Sequence, residues 1–404
     1  MKRRDFLKLP LCAGAALCLP RMALAFSARS AGTAPSVLVS LFLRGGADGL
    51  NIVVPYTDPD YYRLRPTLAV PRPGGGEGAA LDLDARFGLH PAAAPLLPLY
   101  RAGELAILHA CGAVHGSRSH FDAQALMERG VDDPARPQSG WLGRLVEQLP
   151  GAGSEAFLAV GIGNAVARSL IGPAPALNVQ SLETFALGGA EGAWFKHSLA
   201  ALYLEDGRFA HTATLTFGAL EQIAGLDLQR LDPPAGVSYP ATAFGSALRE
   251  LGRLIRADLG LRAAAVDIGG WDHHANEAQV LPGLLSELGN ALAAFRAHLG
   301  EAMRRVVVLV MSEFGRRAAQ NGSGGTDHGA GNIVLVLGGG VRGGRIIADW
   351  PGLRDPDLDR GDLRVTIDYR QVLEEAVSHH FPGVDPAYVV QDLRLRRPGG
   401  LGLF

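Results

Sequence analysis

An adjacent carboxylate and imidazole, Asp327-His328, lie within the glycine-rich run Gly322 to Asn332, between two β-branched runs, Val306 to Val310 and Ile333 to Leu337. Neighbouring side chains on a strand point to opposite faces, so this pair converges on one centre only where the backbone turns, and the flanking glycines permit the turn. A carboxylate beside a neutral imidazole suits a divalent ion such as Zn, Mn or Fe(II), provided that further ligands arrive from other strand ends. An isolated pair of this kind is more often an Asp capping a turn beside a surface His. The chemical reading therefore depends on what the rest of the chain brings alongside.

The elements that must position such a centre follow from hydrophobic patterning. Val37 to Leu43, Glu104 to Ala110, Leu261 to Ile268, Arg305 to Met311 and Asn332 to Leu337 read as short buried strands, with a further one near Phe157 to Val160. A helix is expected from about Asn276 to His298, with Val280, Leu284, Leu288, Leu292 and Phe295 at helical spacing, and another starts near Ser119. Apolar strands alternating with amphipathic helices predict an α/β fold with a mostly parallel sheet covered on both faces. Ligands bind such sheets outside the carboxyl ends of the strands. Asp48, the group Ser117 to His120, the group Asp272 to His274, Ser312-Glu313 and Asp327-His328 are placed there. Acids, imidazoles and hydroxyls from separate strand ends are the pattern of a metal or polyanion centre.

The first 25 residues read as an address. Lys2-Arg3-Arg4-Asp5-Phe6-Leu7-Lys8 is close to the twin-arginine pattern, an apolar stretch runs from Leu9 to Pro20, and Ala23-Leu24-Ala25 offers a cleavage site. The stretch is too short to span a bilayer, and no later segment looks like a membrane helix. The expectation is a mature protein, residues 26–404, in the periplasm or secreted, folded as one domain with a partial lid or decoration at about 151–244. Removing the segment, which carries five basic residues and one acid, leaves the chain more acidic than its formal −2. No basic stripe for nucleic acid is present. Of three cysteines only Cys111 survives cleavage, so neither an intramolecular disulfide nor a thiolate zinc cage is expected, and His and carboxylate ligands remain.

Several phrases carry a resemblance: Leu43 to Asn51 (LRGGADGLN), Arg118 to Gln124 (RSHFDAQ), Met311 to Arg316 (MSEFGR), Gly325 to Gly329 (GTDHG), Gly339 to Gly344 (GGVRGG) and Asp349 to Leu353 (DWPGL). Through them the chain resembles the DUF1501 family, twin-arginine-exported bacterial proteins placed within the alkaline phosphatase and sulfatase superfamily. The resemblance implies an α/β three-layer sandwich of the alkaline phosphatase-like kind and metal-dependent hydrolysis of phosphate or sulfate esters. It implies Asp48, Asp272, His274, Asp327 and His328 as metal ligands for one or two ions (Zn, Mn, Fe or Ca), with Glu313 in the place directly after a strand where the superfamily's Asp-His pair normally stands. Ser117 and Ser119 lie where the superfamily keeps its nucleophile, and Ser119 is preferred. His120 would position the leaving group, and Arg44 and Arg118 either clamp the anion or serve as ion-pair partners. The expected substrate is a small anionic ester or a modified polymer. The alternative is a non-catalytic periplasmic binding or assembly protein on the same fold. This chain departs from the pattern in spacing, since Asp327 stands fourteen residues after Glu313, and in having Ala330 where other members have a second His.

Other motifs are set aside. Gly338 to Gly343 follows a strand, but Arg345-Ile346-Ile347 reads as extended, so the helix needed for a dinucleotide is missing. Asp355 to Gly361 lacks the glycine position and distal Glu of a calcium loop. No Gly-x-Ser-x-Gly elbow occurs, and His379-His380 on a C-terminal helix is more often a solvated or satisfied pair.

Overall fold

Alternate residues of the first strand, β1 (Val37–Leu43), belong to different cores. In the computed structural model, Val37, Val39, Leu41 and Leu43 pack into one apolar cluster and Leu38 and Phe42 into another on the opposite side. The same split recurs in β9 (Val306–Met311) and β10 (Asn332–Gly338). A strand turned alternately into two apolar layers has no solvent face, which is why these runs read as continuously hydrophobic. The structure describes residues 35–185, 198–199, 202–203 and 209–404; residues 35–404 make one compact unit. The expected address at 1–25 and part of the segment expected as a lid or decoration lie outside the described residues.

The remaining strands, in chain order, are β2 (Val53–Val54), β3 (Leu81–Asp82), β4 (Gly88–Leu89), β5 (Leu105–Gly112), β6 (Ala159–Ile162), β7 (Leu177–Val179), β8 (Ala263–Ile268), β11 (Arg345–Ile347) and β12 (Ile367–Asp368). The main sheet runs β11-β5-β10-β9-β1-β8-β6-β7, with β12 also on β5, while β2, β4 and β3 form a small separate sheet. All the main pairings are parallel except the two made by β10. The three-layer α/β sandwich with a mostly parallel sheet is present. Within the region expected as a partial lid or decoration, residues 159–162, close to the strand expected near Phe157 to Val160, and residues 177–179 are strands of the main sheet.

The helices Ala243–Ala257 and Glu277–Leu299 cover one face, and Trp141–Glu147 and Tyr369–His380 the other. In the long helix Glu277–Leu299 the buried stripe begins at Leu281 and Leu285, whereas the expected Val280 is 44 % exposed. The apolar spacing was right, but the inward face is rotated by one residue over its first turns. Among the described residues no helix is long and apolar enough to cross a membrane.

The reversed strand sets the working edge of the molecule. Because β10 runs against its neighbours, its start lies beside their carboxyl ends. The connection between β9 and β10, residues 312–331, therefore stays at that edge throughout. Gly315 donates to the Ala330 carbonyl at 3.0 Å, Gly329 to Gly315 at 2.8 Å and Arg317 to Asp327 at 2.9 Å, so the connection folds back as a short ribbon. Glycine is required at 315, since a Cβ there would stand 1.9 Å from the Gly331 carbonyl oxygen.

Beneath this edge lies a buried polar corner. Asp48, just after β1, accepts from Leu50 N at 3.2 Å and is gripped by both terminal nitrogens of the fully buried Arg65, one of them at 3.0 Å. Glu277, at the start of the long helix, accepts from Asn51 and from the Thr326 hydroxyl, each at 2.9 Å. Burial, reinforced by the charge of Asp48 and a hydrogen bond with it, pushes the Glu277 pKa up to about 9. Glu277 is thus a neutral acid at pH 7, while Arg65 keeps Asp48 ionised. A carboxyl that holds its proton in the native state but loses it near 4.5 when unfolded stabilises the fold fully at low pH. That contribution declines as pH rises from about 4.5 to about 9, by up to about 1.4 kcal/mol per pH unit. Glu277→Gln should flatten this fall, read as urea midpoints between pH 5 and 9. Parallel pH profiles for the variant and the wild type would rule out a protonated Glu277.

Candidate metal centre

His120 opens the helix His120–Arg129 that follows β5, and Ser119 caps it by accepting from Asp122 N at 3.4 Å. Asp272 and His274 lie on the loop after β8, which is pressed against the loop after β1. Gly45 has φ +127° there, and a Cβ on it would stand 2.5 Å from Asp272 N. His328 comes from the folded-back ribbon, where it bridges the backbone of Arg316. One helix start and two loops thus deliver these four side chains.

The three imidazoles share a protonation logic. His120 Nδ1 is 2.8 Å from Glu313 Oε1, His274 Nδ1 is 3.1 Å from Asp327 Oδ1, and His328 Nδ1 is 2.8 Å from the Arg118 carbonyl oxygen. Carboxylate and carbonyl oxygens accept only, so each ring donates from Nδ1 and, when neutral, carries its lone pair on Nε2. Those lone pairs face one another and one carboxylate. His274 Nε2 is 2.9 Å from His328 Nε2 and 3.1 Å from Asp272 Oδ1, and His328 Nε2 is 3.2 Å from the same oxygen. His120 Nε2 lies 3.3 Å from Asp272 Oδ2 yet is buried with no hydrogen-bond partner. Donor atoms of His120, Asp272 and His328 all fall within 4.8 Å of one another.

Acceptors packed this closely repel unless a positive charge lies among them. Ligand bonds of about 2.0–2.2 Å to a divalent ion place neighbouring donors roughly 3 Å apart, which is the spacing of the His274, His328 and Asp272 triangle. The orphaned Nε2 of His120 makes the same point, because a buried ring nitrogen without a partner is costly. The donor set therefore fits one divalent ion held by nitrogen-rich ligands.

Electrostatics keep the set ready. Arg316, 1 % exposed, donates to Asp272 Oδ1 at 2.7 Å and to the carbonyls of Gly45, Gly46, Trp271 and Thr326. Partial burial works to raise the Asp272 pKa, but the hydrogen bond and charge of Arg316, with help from His328 and His274, outweigh it and bring it down to about 2. Burial lowers the His328 pKa, which favours the neutral ring. Phe314 packs at 4.7 Å from the His328 ring and 5.0 Å from His120.

The structure sorts the expected site residues into distinct positions. Asp272, His274 and His328 meet, and His120, expected to steer a leaving group, joins them. Asp48 is not in the donor set, because Arg65 occupies its carboxylate. Glu313, fully buried, accepts from Gly45 N at 2.9 Å, Gln124 Nε2 at 2.8 Å and His120, so it orients His120 from behind. Asp327 likewise stands behind His274, also accepting from Asn321 at 3.1 Å. Arg44 is spent on Glu128 at 3.1 Å and Asp267 at 2.8 Å, and the Arg118 guanidinium is paired with Asp362. Neither guanidinium is the free anion clamp the sequence allowed. Ser117 Oγ accepts from Ser119 N at 3.3 Å, and Ser119 is exposed at its helix end. Sequence reasoning left Arg316 without a role, although it sits in a motif phrase. A buried arginine leaves no local mark that separates it from a surface one. Of the decoys, His380 is buried against Phe404, and Asp355 and Asp357 pair with Arg63 and Arg354.

Comparison with solved structures returns the PsFucS1 sulfatase from Pseudoalteromonas sp., at 13 % identity and TM-score 0.38, covering 90 % of this chain and 74 % of that one. A second match, Ps i-CgsB, has 10 % identity and TM-score 0.35, covering 89 % of this chain and 74 % of that one. No curated protein matches the sequence. The family model described as "Protein of unknown function (DUF1501)" matches residues 113–393, a span that includes His120, Asp272, His274, Arg316 and His328. On that match, the chain belongs to the DUF1501 family.

Proposed function

We propose that this protein is an exported hydrolase of phosphate or sulfate esters that depends on one divalent metal ion, held by His120, Asp272, His274 and His328, with Ser119 as the nucleophile. The observation that carries the reading is the convergence of three imidazole Nε2 lone pairs on the Asp272 carboxylate, each ring fixed from its Nδ1 side. When bound, the ion would act as a Lewis acid on an ester oxygen and lower the pKa of a hydroxyl nearby. Three nitrogens and one carboxylate suit Zn, Fe or Mn and disfavour Ca, which prefers six to eight oxygens. The side chains of Asp272 and His274 are 45 % and 46 % exposed, so the centre is open to an incoming substrate.

The roles of the chain's own groups follow from their positions. Glu313 and Asp327 hold the His120 and His274 rings in one tautomer, as carboxylates behind metal-binding histidines do. Ser119 stands next to His120 in the chain at a helix N-terminus, where unpaired N–H groups and the helix dipole favour a negative oxygen. Arg316 fixes Asp272 and offsets its charge. Export rests on the Lys2-Arg3-Arg4 segment, and the alkaline phosphatase-like superfamily assignment on the motif phrases. One observation favours the non-catalytic rival: Arg44 and Arg118, the expected anion clamp, are both occupied by carboxylates.

Protein purified from its export route should contain about one transition-metal ion per chain by mass spectrometry. His274→Ala and His328→Ala should largely abolish that content, and Glu313→Gln should weaken affinity by roughly 10–100-fold. Metal-free wild-type protein, or His variants that keep full metal content, would end the reading. Separately, Ser119→Ala should cut kcat on aryl phosphates or aryl sulfates by at least about 100-fold while metal content stays unchanged. Undiminished kcat would discard Ser119 and leave the ion in place.

A further inference from the structure

The sheet steps down beside the candidate centre. Strand β6 ends where Ile162 pairs with Val266, leaving Asp267 exposed one position before the end of β8. The notch opens into a groove of about 600 Å³ lined by Arg44, Asn164, Arg168, Gln180 and Asp267. This lies within the roughly 300–1,000 Å³ of sites that enclose whole organic ligands, and it is far more space than one phosphate or sulfate group needs. The groove and the centre share a wall. Arg44 donates to Gln124 Oε1 at 3.0 Å, Gln124 donates to Glu313 at 2.8 Å, and Glu313 accepts from His120. Glu128 ties the groove loop to the same helix by accepting from Ser169 N at 3.4 Å.

The groove's charges are unevenly matched. Asp267 shares the Arg44 guanidinium with Glu128, whereas the guanidinium of Arg168, exposed at the start of a short 3-10 turn, has no hydrogen-bond or ion-pair partner among the described residues. Nearby, Arg129 gives its guanidinium only to the backbone carbonyls of Pro134, Arg136 and Pro137, so its charge is not cancelled by a carboxylate contact. An unpaired guanidinium is suited to an anionic group, which it binds through two parallel N–H donors. Around it stand neutral amides, Asn164 and Gln180, hydrogen-bonded to each other at 2.9 Å, and the Asp267 carboxylate, all partners for hydroxyl groups. Phe244 is buried and offers no stacking face for a nucleobase.

We infer that the groove holds the alcohol portion of the ester, a hydroxylated oligosaccharide that carries a second anionic group, bound by Arg168 while the reacting ester meets the metal centre. The second half of that statement rests on the hydrolase reading; the binding half does not. Because the chain is net negative, −2 overall, diffuse attraction of polyanions is not expected to mimic the effect.

The test is calorimetric titration of the metal-loaded Ser119→Ala protein with a sulfated tetrasaccharide. Adding Arg168→Ala should weaken binding at least tenfold. Asn164→Asp, which places an acid beside the guanidinium, should do the same. Desulfated tetrasaccharide, which lacks both the anion at Arg168 and the ester at the metal centre, should bind the parent at least as weakly as the sulfated form binds the Arg168→Ala variant. Equal affinity with and without Arg168, or equally tight binding of a single-stranded oligonucleotide of matched charge, would overturn the proposal. Hydrolysis of aryl esters by wild-type protein is scored independently. A drop in affinity without any ester turnover keeps the groove and removes the hydrolase, and the opposite pair of results does the reverse.

Discussion

The buried guanidinium of Arg316 is the interaction on which the working edge depends. Its donors reach backbone carbonyls on the loop after β1, the loop after β8 and the ribbon before β10, and its remaining charge meets Asp272. A cation with this little solvent access is tolerable only because carbonyl oxygens and a carboxylate satisfy it, and two of the partner segments carry His274 and His328. Loops are ordinarily the mobile parts of a fold. Here a planar donor with a fixed geometry holds three of them in mutual register, so the Nε2 atoms of His274 and His328 meet at 2.9 Å.

Strand direction matters as much. In a sheet whose neighbours of β10 all run the other way, a parallel β10 would have needed a crossover, and the connection would have left the carboxyl edge. The reversed strand lets residues 312–331 stay there and fold on themselves. The ribbon brings Asp327 and His328 to opposite sides of the same ring: Asp327 holds His274 at Nδ1, and His328 faces it at Nε2. The adjacent pair that looks like two ligands is one donor and one orienting acid.

Several acids near the edge are committed elsewhere, and their commitments set the charge of the centre. Asp48 belongs to Arg65, Asp267 and Glu128 to Arg44, Asp362 to Arg118, and Glu277 retains its proton. Breaking a buried pair such as Asp48–Arg65 is expected to cost about 3–5 kcal/mol, so these acids are not readily released to bind an ion. What remains facing the imidazole Nε2 atoms is the Asp272 carboxylate, partly offset by Arg316. A nitrogen-rich set around one shared carboxylate follows from this distribution.

The amino-acid sequence on its own determined the architecture. Burial on a strand alternates between consecutive residues and burial on a helix recurs every three to four, so both are written in local composition. That was enough to place β1, β5, β8, β9 and β10, to make the sheet mostly parallel, and to bring Asp272, His274 and His328 to its carboxyl edge. It was not enough to separate Val280 from Leu281 on the long helix, since both fit one apolar stripe. Tertiary structure alone decided which polar groups are donors and which stand behind them. Glu313 and His120 are 193 positions apart, and Arg44 and Glu128 are 84 apart. An ion pair or an orienting hydrogen bond across such separations depends on loop packing to within an ångström, and no residue type or spacing announces it. For the same reason Arg65 and Arg316, both buried and both decisive for the charge of the edge, were indistinguishable in the sequence from arginines in solvent.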